Sequence, residues 1–310
     1  MIKKEEIDHN INTSWKMSIK TLMEYKYGLC KFILDTSNEK NLSKETTALA
    51  MQIVNYFFIK NSYFSHDKLN VACSALTLSI KSKASKTVVL YDIFNIYMSK
   101  KKNVKIKDFK KVPNADIKNL RNQILDKEIS ILKLFNNLLP DEFPFEYNYL
   151  YSIILYPNNK EEIYNFANKI CIDSYFTYVN NLFQPYVVAL ACIFFAAKFL
   201  DISTFLDNNF KNLEQMKFIH KDNMDEKQFL RALYEYEEDP AQLLLNKNNN
   251  KGDGFDKEIK YFYFNSLSLD KKLHPLLKMD ELLECIELIS NFYEEMSKNY
   301  DLVNKEFNLW

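Results

Sequence analysis

The sequence predicts an all-α protein made of two related helical units. Two similar apolar stretches, residues 71–81 (VACSALTLSIK) and 188–198 (VALACIFFAAK), lie 117 positions apart, and such a spacing is typical of a duplicated domain. Each combines small and apolar residues with a final lysine, which is the pattern of a helix surrounded by neighbours until its last turn. Helical periodicity extends through most of the chain, and no segment alternates polar and apolar residues as a half-buried strand would.

The duplication extends to the helix that precedes each apolar stretch. The 117-residue offset holds there without insertion or deletion and aligns three pairs: Ala50 with Ala167, Ile53 with Ile170, and Phe58 with Tyr175. A chain of 310 residues has room for two domains that each bury a core. We therefore predict a first unit over residues 1–140, including an N-terminal helix, and a second unit over residues 141–310.

In the first unit the periodicity predicts five helices. The second of them begins after Ser43, since serine is a common helix-capping residue, and the third follows the loop SYFSHD. Their expected bounds are residues 15–34, 44–60, 68–81, 87–98 and 115–134. The lysine-rich segment 100–111 is interpreted as a surface loop rather than as a nucleic-acid or nuclear-import patch.

In the second unit four helices are expected. Two begin at Pro144 and Pro185, because proline is favoured in the first turn of a helix. The others span residues 161–179 and 279–298. Residues 204–264 are acidic and rich in asparagine, so we predict an insertion that combines a short helix with a disordered stretch.

The composition limits the possible partners. The 41 basic and 41 acidic residues cancel, which argues against broad electrostatic binding to nucleic acid or to an anionic membrane. The five cysteines are scattered without a CxxC pair, which favours core packing in a reducing compartment. The N-terminus shows no apolar signal segment, and the longest apolar run falls short of a spanning helix. We expect an intracellular protein without membrane partners.

No catalytic motif is recognisable. The three glycines, Gly28, Gly252 and Gly254, cannot form a GxGxxG or P-loop sequence. None of the four histidines has the spacing of a metal site, and no GxSxG or kinase motif occurs. We therefore expect neither catalytic residues nor a cofactor or metal ion.

Both units resemble cyclin boxes, the five-helix repeats of the cyclin family. In the first, HDKLNVACSALTLSIK is similar to the buried helix of transcription-type cyclins and its terminal lysine. In the second, ANKICIDSYFTYVNNLFQPYVVALACIFFAAKFLDI is similar to L-type cyclins, and LLKMDELLECIELISNFYEEM resembles the closing helix of K and L types. The positions that carry the L-type likeness are Asp173, Ser174, Phe183, Gln184, Pro185, Ala191, Cys192 and Ile193.

The resemblance implies a regulatory subunit that is not itself an enzyme. A cyclin binds a cyclin-dependent kinase as a heterodimer and positions its αC helix, here in transcription or RNA processing and hence in the nucleus. The resemblance places the kinase-binding residues at Lys81, Glu128 and Leu132. From the residues alone, Lys81 is equally explained as a helix-capping lysine and Glu128 as a solvated carboxylate.

The sequence departs from the family at several places, among them two near the proposed binding residues and the substrate-docking segment. Lys83 and Ala84 replace the acidic pair that usually follows the lysine, and residues 25–29 (YKYGL) replace the substrate-docking MRAIL sequence of cell-cycle cyclins. Substrate recruitment by that sequence is therefore not expected. Two alternatives stay open: a cyclin-fold transcription factor resembling general transcription factor IIB, and a scaffold that binds no kinase.

Overall fold

A computed structural model describes residues 19–83, 93, 96–97, 114–202 and 277–298. These residues form nine α-helices and no strand, which confirms the all-α prediction for the described part of the chain. The helices are α1 (Ile19–Glu39), α2 (Lys44–Lys60), α3 (Lys68–Ser82), α4 (Asn114–Leu134), α5 (Pro144–Leu155), α6 (Lys160–Ser174), α7 (Val179–Leu182), α8 (Pro185–Phe199) and α9 (Met279–Lys298).

The helix starts follow the local sequence signals. Ser43 and Asp67 each accept a hydrogen bond from the backbone N–H three residues further on, at 3.1 and 2.9 Å, and so satisfy a donor that the first turn leaves free. Pro144 and Pro185 occupy the first turns of α5 and α8. The predicted starts of α2, α3, α5 and α8 are confirmed.

The repeated segments adopt matching structures. Helices α3 and α8 are related by the same 117-residue offset at both ends. Helix α2 packs against α3 as α6 packs against α8, and each apolar helix is buried over most of its length. Helices α1 and α4 complete the surroundings of α3, whereas α5 and α9 complete those of α8. The unit boundary near residue 140 stays a prediction.

Two helix ends differ from the sequence prediction. Helix α1 continues to Glu39, beyond the expected end at residue 34. Helix α6 ends at Ser174 instead of continuing to residue 179, because the Thr177 hydroxyl donates to the Ser174 carbonyl at 2.6 Å and accepts from the Val179 N–H at 3.1 Å. The expected helix 87–98, apart from three residues, the lysine-rich loop 100–111 and the insertion 204–264 lie outside the described residues.

A buried polar contact joins α2 to the turn between α6 and α7. Asn55 Nδ2 donates to the carbonyls of Tyr175 and Thr177, at 2.8 and 3.1 Å. Gln52 Nε2 donates to the Asn180 carbonyl at 2.8 Å. We call the side chains of Gln52 and Asn55, together with residues 175–181, the inter-repeat seam. It fixes the first repeat to the second through hydrogen bonds that water cannot replace, since Asn55 is buried.

Replacing Asn55 by leucine tests this seam. The Asn55→Leu variant keeps the number and branching of the side-chain heavy atoms but takes the amide donor away from two buried carbonyls, so the free energy of unfolding should fall by about 2–4 kcal/mol. Urea denaturation measures the change. Asn61→Leu is the matched control, because the Asn61 amide bonds only within its own helix end, and its effect should stay below about 1 kcal/mol. Equal losses in both variants would contradict the role of the seam.

Candidate partner-binding surface

The structure brings together two of the three residues that the sequence singled out for partner binding. Lys81 lies in the last turn of α3 and Glu128 lies in α4, and these helices pack side by side. Lys81 Nζ donates to Glu128 Oε2 at 2.7 Å and to Oε1 at 2.9 Å. Both carboxylate oxygens therefore share one ammonium group in a charge-assisted contact.

The two charges of this pair are unequally exposed. The Glu128 side chain is 8% exposed, whereas that of Lys81 is 44% exposed. A carboxylate that is almost removed from water depends on its counter-ion, because an unpaired buried charge is strongly destabilising. Lys81 keeps a third N–H for a group outside the protein, and the carboxylate oxygens keep further lone pairs. The pair can thus offer both a donor and an acceptor at the surface.

Apolar residues lie beside the pair on α4. Leu132 follows Glu128 by one turn and is partly buried against the core. Leu125 and Ile129 are 36% and 51% exposed, and Leu125, three residues before Glu128 and four before Ile129, is a neighbour of both on the helix surface. Sequence reasoning missed both, because apolar residues four positions apart on a helix usually face the core. We call Lys81, Leu125, Glu128, Ile129 and Leu132 the α3–α4 surface.

The Lys83 side chain contacts the segment between α4 and α5 at the edge of this surface. Its Nζ donates to the Asp141 carbonyl at 3.2 Å and lies 4.6 Å from the centre of the Phe143 ring. These contacts tie the end of α3 to the segment between α4 and α5. The lysine that departs from the family pattern therefore fixes the position of the helix end that carries Lys81.

The equivalent lysine of the second repeat has different surroundings. Lys198 ends α8 as Lys81 ends α3, but its Nζ lies 5.8 Å from the centre of the Phe194 ring. Helix α8 packs against α5, α6 and α9. The lysine repeat therefore reflects the duplication, and in the first copy the lysine pairs with the buried Glu128.

The segment that replaces MRAIL is mostly inside the protein. Leu29 is fully buried, and Lys26 is only 7% exposed. Lys26 Nζ lies 4.0 Å from the centre of the Tyr178 ring, and burial lowers the pKa of this amine from 10.5 to about 8. Tyr25 points elsewhere and stacks on Tyr63. Sequence reasoning gave no signal for the burial of Lys26, since a lysine on an amphipathic helix is usually solvated.

The cysteines are core residues, as predicted. All five are buried free thiols, and burial raises the pKa of Cys30 to about 12 and that of Cys171 and Cys285 well above the ordinary value. No group of three or more His, Cys, Asp or Glu side chains in the described part of the chain is placed to hold a metal ion. Among those same residues, no helix has the length and apolar character needed to cross a bilayer.

Comparisons with known proteins agree with the resemblance seen in the sequence. Residues 1–137 match the family model described as the N-terminal domain of cyclins. The fold is similar to a chain in the crystal structure of the yeast RNA Pol II CTD kinase CTDK-1 complex, with a TM-score of 0.55 and 16% sequence identity. That match covers 93% of this chain and 82% of the other. No curated protein matches the sequence.

The buried ammonium of Lys26 predicts a pH-dependent stability. The folded state holds this proton less tightly than the unfolded chain does, so Lys26→Met should raise the free energy of unfolding at pH 7 by about 1–3 kcal/mol. The gain should shrink as the pH rises from about 8 towards 10.5, because the wild-type unfolded state then binds more protons than the folded state and the wild type becomes more stable.

Thermal or urea unfolding at several pH values measures the gain. Lys68→Met is the matched control, because Lys68 lies 4.4 Å from the Tyr25 ring but is only partly buried. A lower stability of Lys26→Met at pH 7, or an equal gain in the control, would contradict the assignment.

Proposed function

We propose that the chain, whose residues 1–137 match the model of the cyclin N-terminal domain, is a cyclin and acts as the regulatory subunit of a cyclin-dependent protein kinase. One observation carries the proposal: within this domain, a half-exposed lysine and a buried glutamate form a bidentate pair beside exposed apolar residues. The chain supplies no catalytic group in this function. It binds the kinase as a heterodimer and activates it.

The chemistry of the α3–α4 surface suits the binding of a kinase helix and of the kinase backbone next to that helix. Leu125 and Ile129 provide apolar area, and their burial contributes about 25 cal/mol per Å² of surface removed from water. Lys81 can donate to a backbone carbonyl of the kinase, and Glu128 can accept from a backbone N–H. Hydrogen bonds to charged groups contribute about 1.5–3 kcal/mol each.

Activation follows from binding one conformation better than another. Kinase catalysis requires an αC glutamate to reach the lysine that holds the ATP phosphates. A surface that contacts αC in its active position shifts the kinase towards that position by the difference in binding free energy, about 1.4 kcal/mol for each factor of ten. The shift is effective only if the surface keeps its shape when the kinase binds. Helix α3 is buried from Leu69 to Ile80, which gives Lys81 such a support.

The cellular role that we favour is transcription. The structural likeness to a chain of an RNA Pol II CTD kinase complex supports a kinase of this class, and a kinase that acts there implies a nuclear location. Direct contact with nucleic acid is not needed for this role, and the balanced charge does not favour it. The kinase-binding roles of Lys81, Glu128 and Leu132 are part of the proposal.

A double substitution tests the role of the ion pair. In Lys81→Ala/Glu128→Ala both charges are removed together, so no unpaired charge stays buried, and the fold should persist. Affinity for the kinase that co-purifies with the chain should fall by at least about tenfold, which corresponds to the loss of one charged hydrogen bond. Fluorescence titration measures affinity, and phosphorylation of a peptide substrate measures activation.

Lys198→Ala is the control for this experiment, because it removes the lysine at the same place in the second repeat. Its affinity should equal that of the wild type. If the double variant binds and activates the kinase normally, the residue assignment is wrong even where the chain still binds a kinase.

The exposed apolar residues of α4 give an independent test. Leu125→Ser/Ile129→Ser removes apolar contact area while exposing no core, so kinase affinity should fall by about tenfold or more and thermal stability should change little. The matched control is Leu283→Ser on α9, a leucine of similar exposure on a helix that does not belong to the α3–α4 surface. Equal effects of the two changes would exclude a specific contact through α4.

A further inference from the structure

The exposed side of α4 continues beyond the α3–α4 surface, towards the start of the helix. Lys118 and Arg121 lie there in the first two turns, and both side chains are exposed. An α-helix repeats every 3.6 residues, so the order Lys118, Arg121, Leu125 and Ile129 forms one continuous stripe. We call these four residues the α4 stripe. It is about 16 Å long, basic at one end and apolar at the other.

The basic end of the α4 stripe is not neutralised within the described part of the chain. No ion pair or side-chain hydrogen bond involves Lys118 or Arg121 there. Glu128, the carboxylate beside the stripe, already accepts two hydrogen bonds from Lys81. Asp126 is turned away from the stripe by about 100°. This side of α4 therefore carries a local excess of positive charge, in a chain whose formal net charge is zero.

Arg121 is the more specific of the two cations. Among the 41 basic residues of the sequence, only Arg121 and Arg231 are arginines. A guanidinium group presents a planar set of donors that matches both oxygens of a carboxylate, whereas an ammonium group is a compact point charge. Arg121 precedes Leu125 by about one helical turn, so an element that covers Leu125 comes within reach of the guanidinium. The position therefore suits a carboxylate on the molecule that binds the apolar end.

We propose that Lys118 and Arg121 select the kinase, by pairing with carboxylates that it carries next to its αC helix. This inference rests on the regulatory function proposed above and adds a property of the partner. Charges at the rim of an interface act mainly on the association rate and on the choice of partner. A kinase with basic residues at this place is repelled, even if its αC helix fits the apolar residues.

A nucleic acid suits the α4 stripe less well than an acidic protein surface does. Binding to nucleic acid depends on neutralising several phosphates, and the stripe offers two cations. Its other half is apolar, and Leu125 and Ile129 are large side chains that gain from burial against protein. A surface that combines apolar residues with carboxylates complements both halves.

Charge reversal tests the inference. Lys118→Glu/Arg121→Glu is compared with the wild type in stopped-flow binding to the kinase that co-purifies with the full-length chain. At low salt the association rate constant should fall by at least about tenfold, because like charges then face each other. The difference should shrink at high salt, since mobile ions screen exposed charges. The dissociation rate constant should change by less than about threefold, and thermal stability should not change, because both positions are exposed.

The matched control is Lys169→Glu/Lys198→Glu. Both lysines are exposed and lie on α6 and α8, so this variant has the same net charge as the first but leaves the α4 stripe intact. Its association rate constant should equal that of the wild type at both salt concentrations. A control that slows association as much as the α4 variant would show an effect of net charge alone and would overturn the inference.

Cross-linking with a carbodiimide gives a readout that needs no variant. The reagent joins an amine to a carboxylate in contact with it, so we expect an amide bond between Lys118 and an Asp or Glu of the bound kinase. Two outcomes overturn the inference while the kinase still binds: an unchanged association rate in the α4 variant, or no cross-link from Lys118 to the kinase. A chain that binds no kinase at all overturns the proposed regulatory function as well.

Discussion

The relation between the two repeats depends on the amide side chain of Asn55, which lies in the first repeat and donates hydrogen bonds to the backbone of the second. Asn55 projects from α2, and its donor group holds the carbonyls of Tyr175 and Thr177. The same turn ends α6 and starts α7, so the contact fixes both the relation of the repeats and the local fold of the second. Cys30 on α1 adds a weaker bond to the Tyr175 carbonyl. Helices α1 and α2, which enclose α3, are therefore attached to the second repeat.

This arrangement has a consequence for the α3–α4 surface. Lys81 can act as a fixed donor only if the end of α3 does not move, and three features hold it there. Neighbouring helices bury α3, the Lys81–Glu128 pair joins it to α4, and Lys83 bonds the segment before α5. Because close-packed elements resist continuous deformation, a surface fixed by these three contacts can favour one position of a mobile kinase helix.

Much of the fold could be predicted from local sequence, because helix starts depend on residues within one turn. Ser43 and Pro185 are examples, and the repeat offset correctly related α3 to α8. The position of the turn after α6 could not be predicted, since it is bonded by Asn55, which lies 120 residues from Tyr175. The Lys81–Glu128 contact spans 47 residues, so only the family resemblance pointed to it. Leu125 and Ile129 looked like ordinary helix residues until their exposure was known.

The central claim is that the α3–α4 surface contacts the catalytic subunit of a protein kinase. Its most direct test is chemical cross-linking of the complex purified through the tagged full-length chain, followed by mass spectrometry. We expect one protein kinase in stoichiometric amount, with its αC region cross-linked to lysines of α3 and α4. A preparation that contains DNA or RNA polymerase but no kinase, or a kinase cross-linked only to lysines of α6 and α8, would contradict this account.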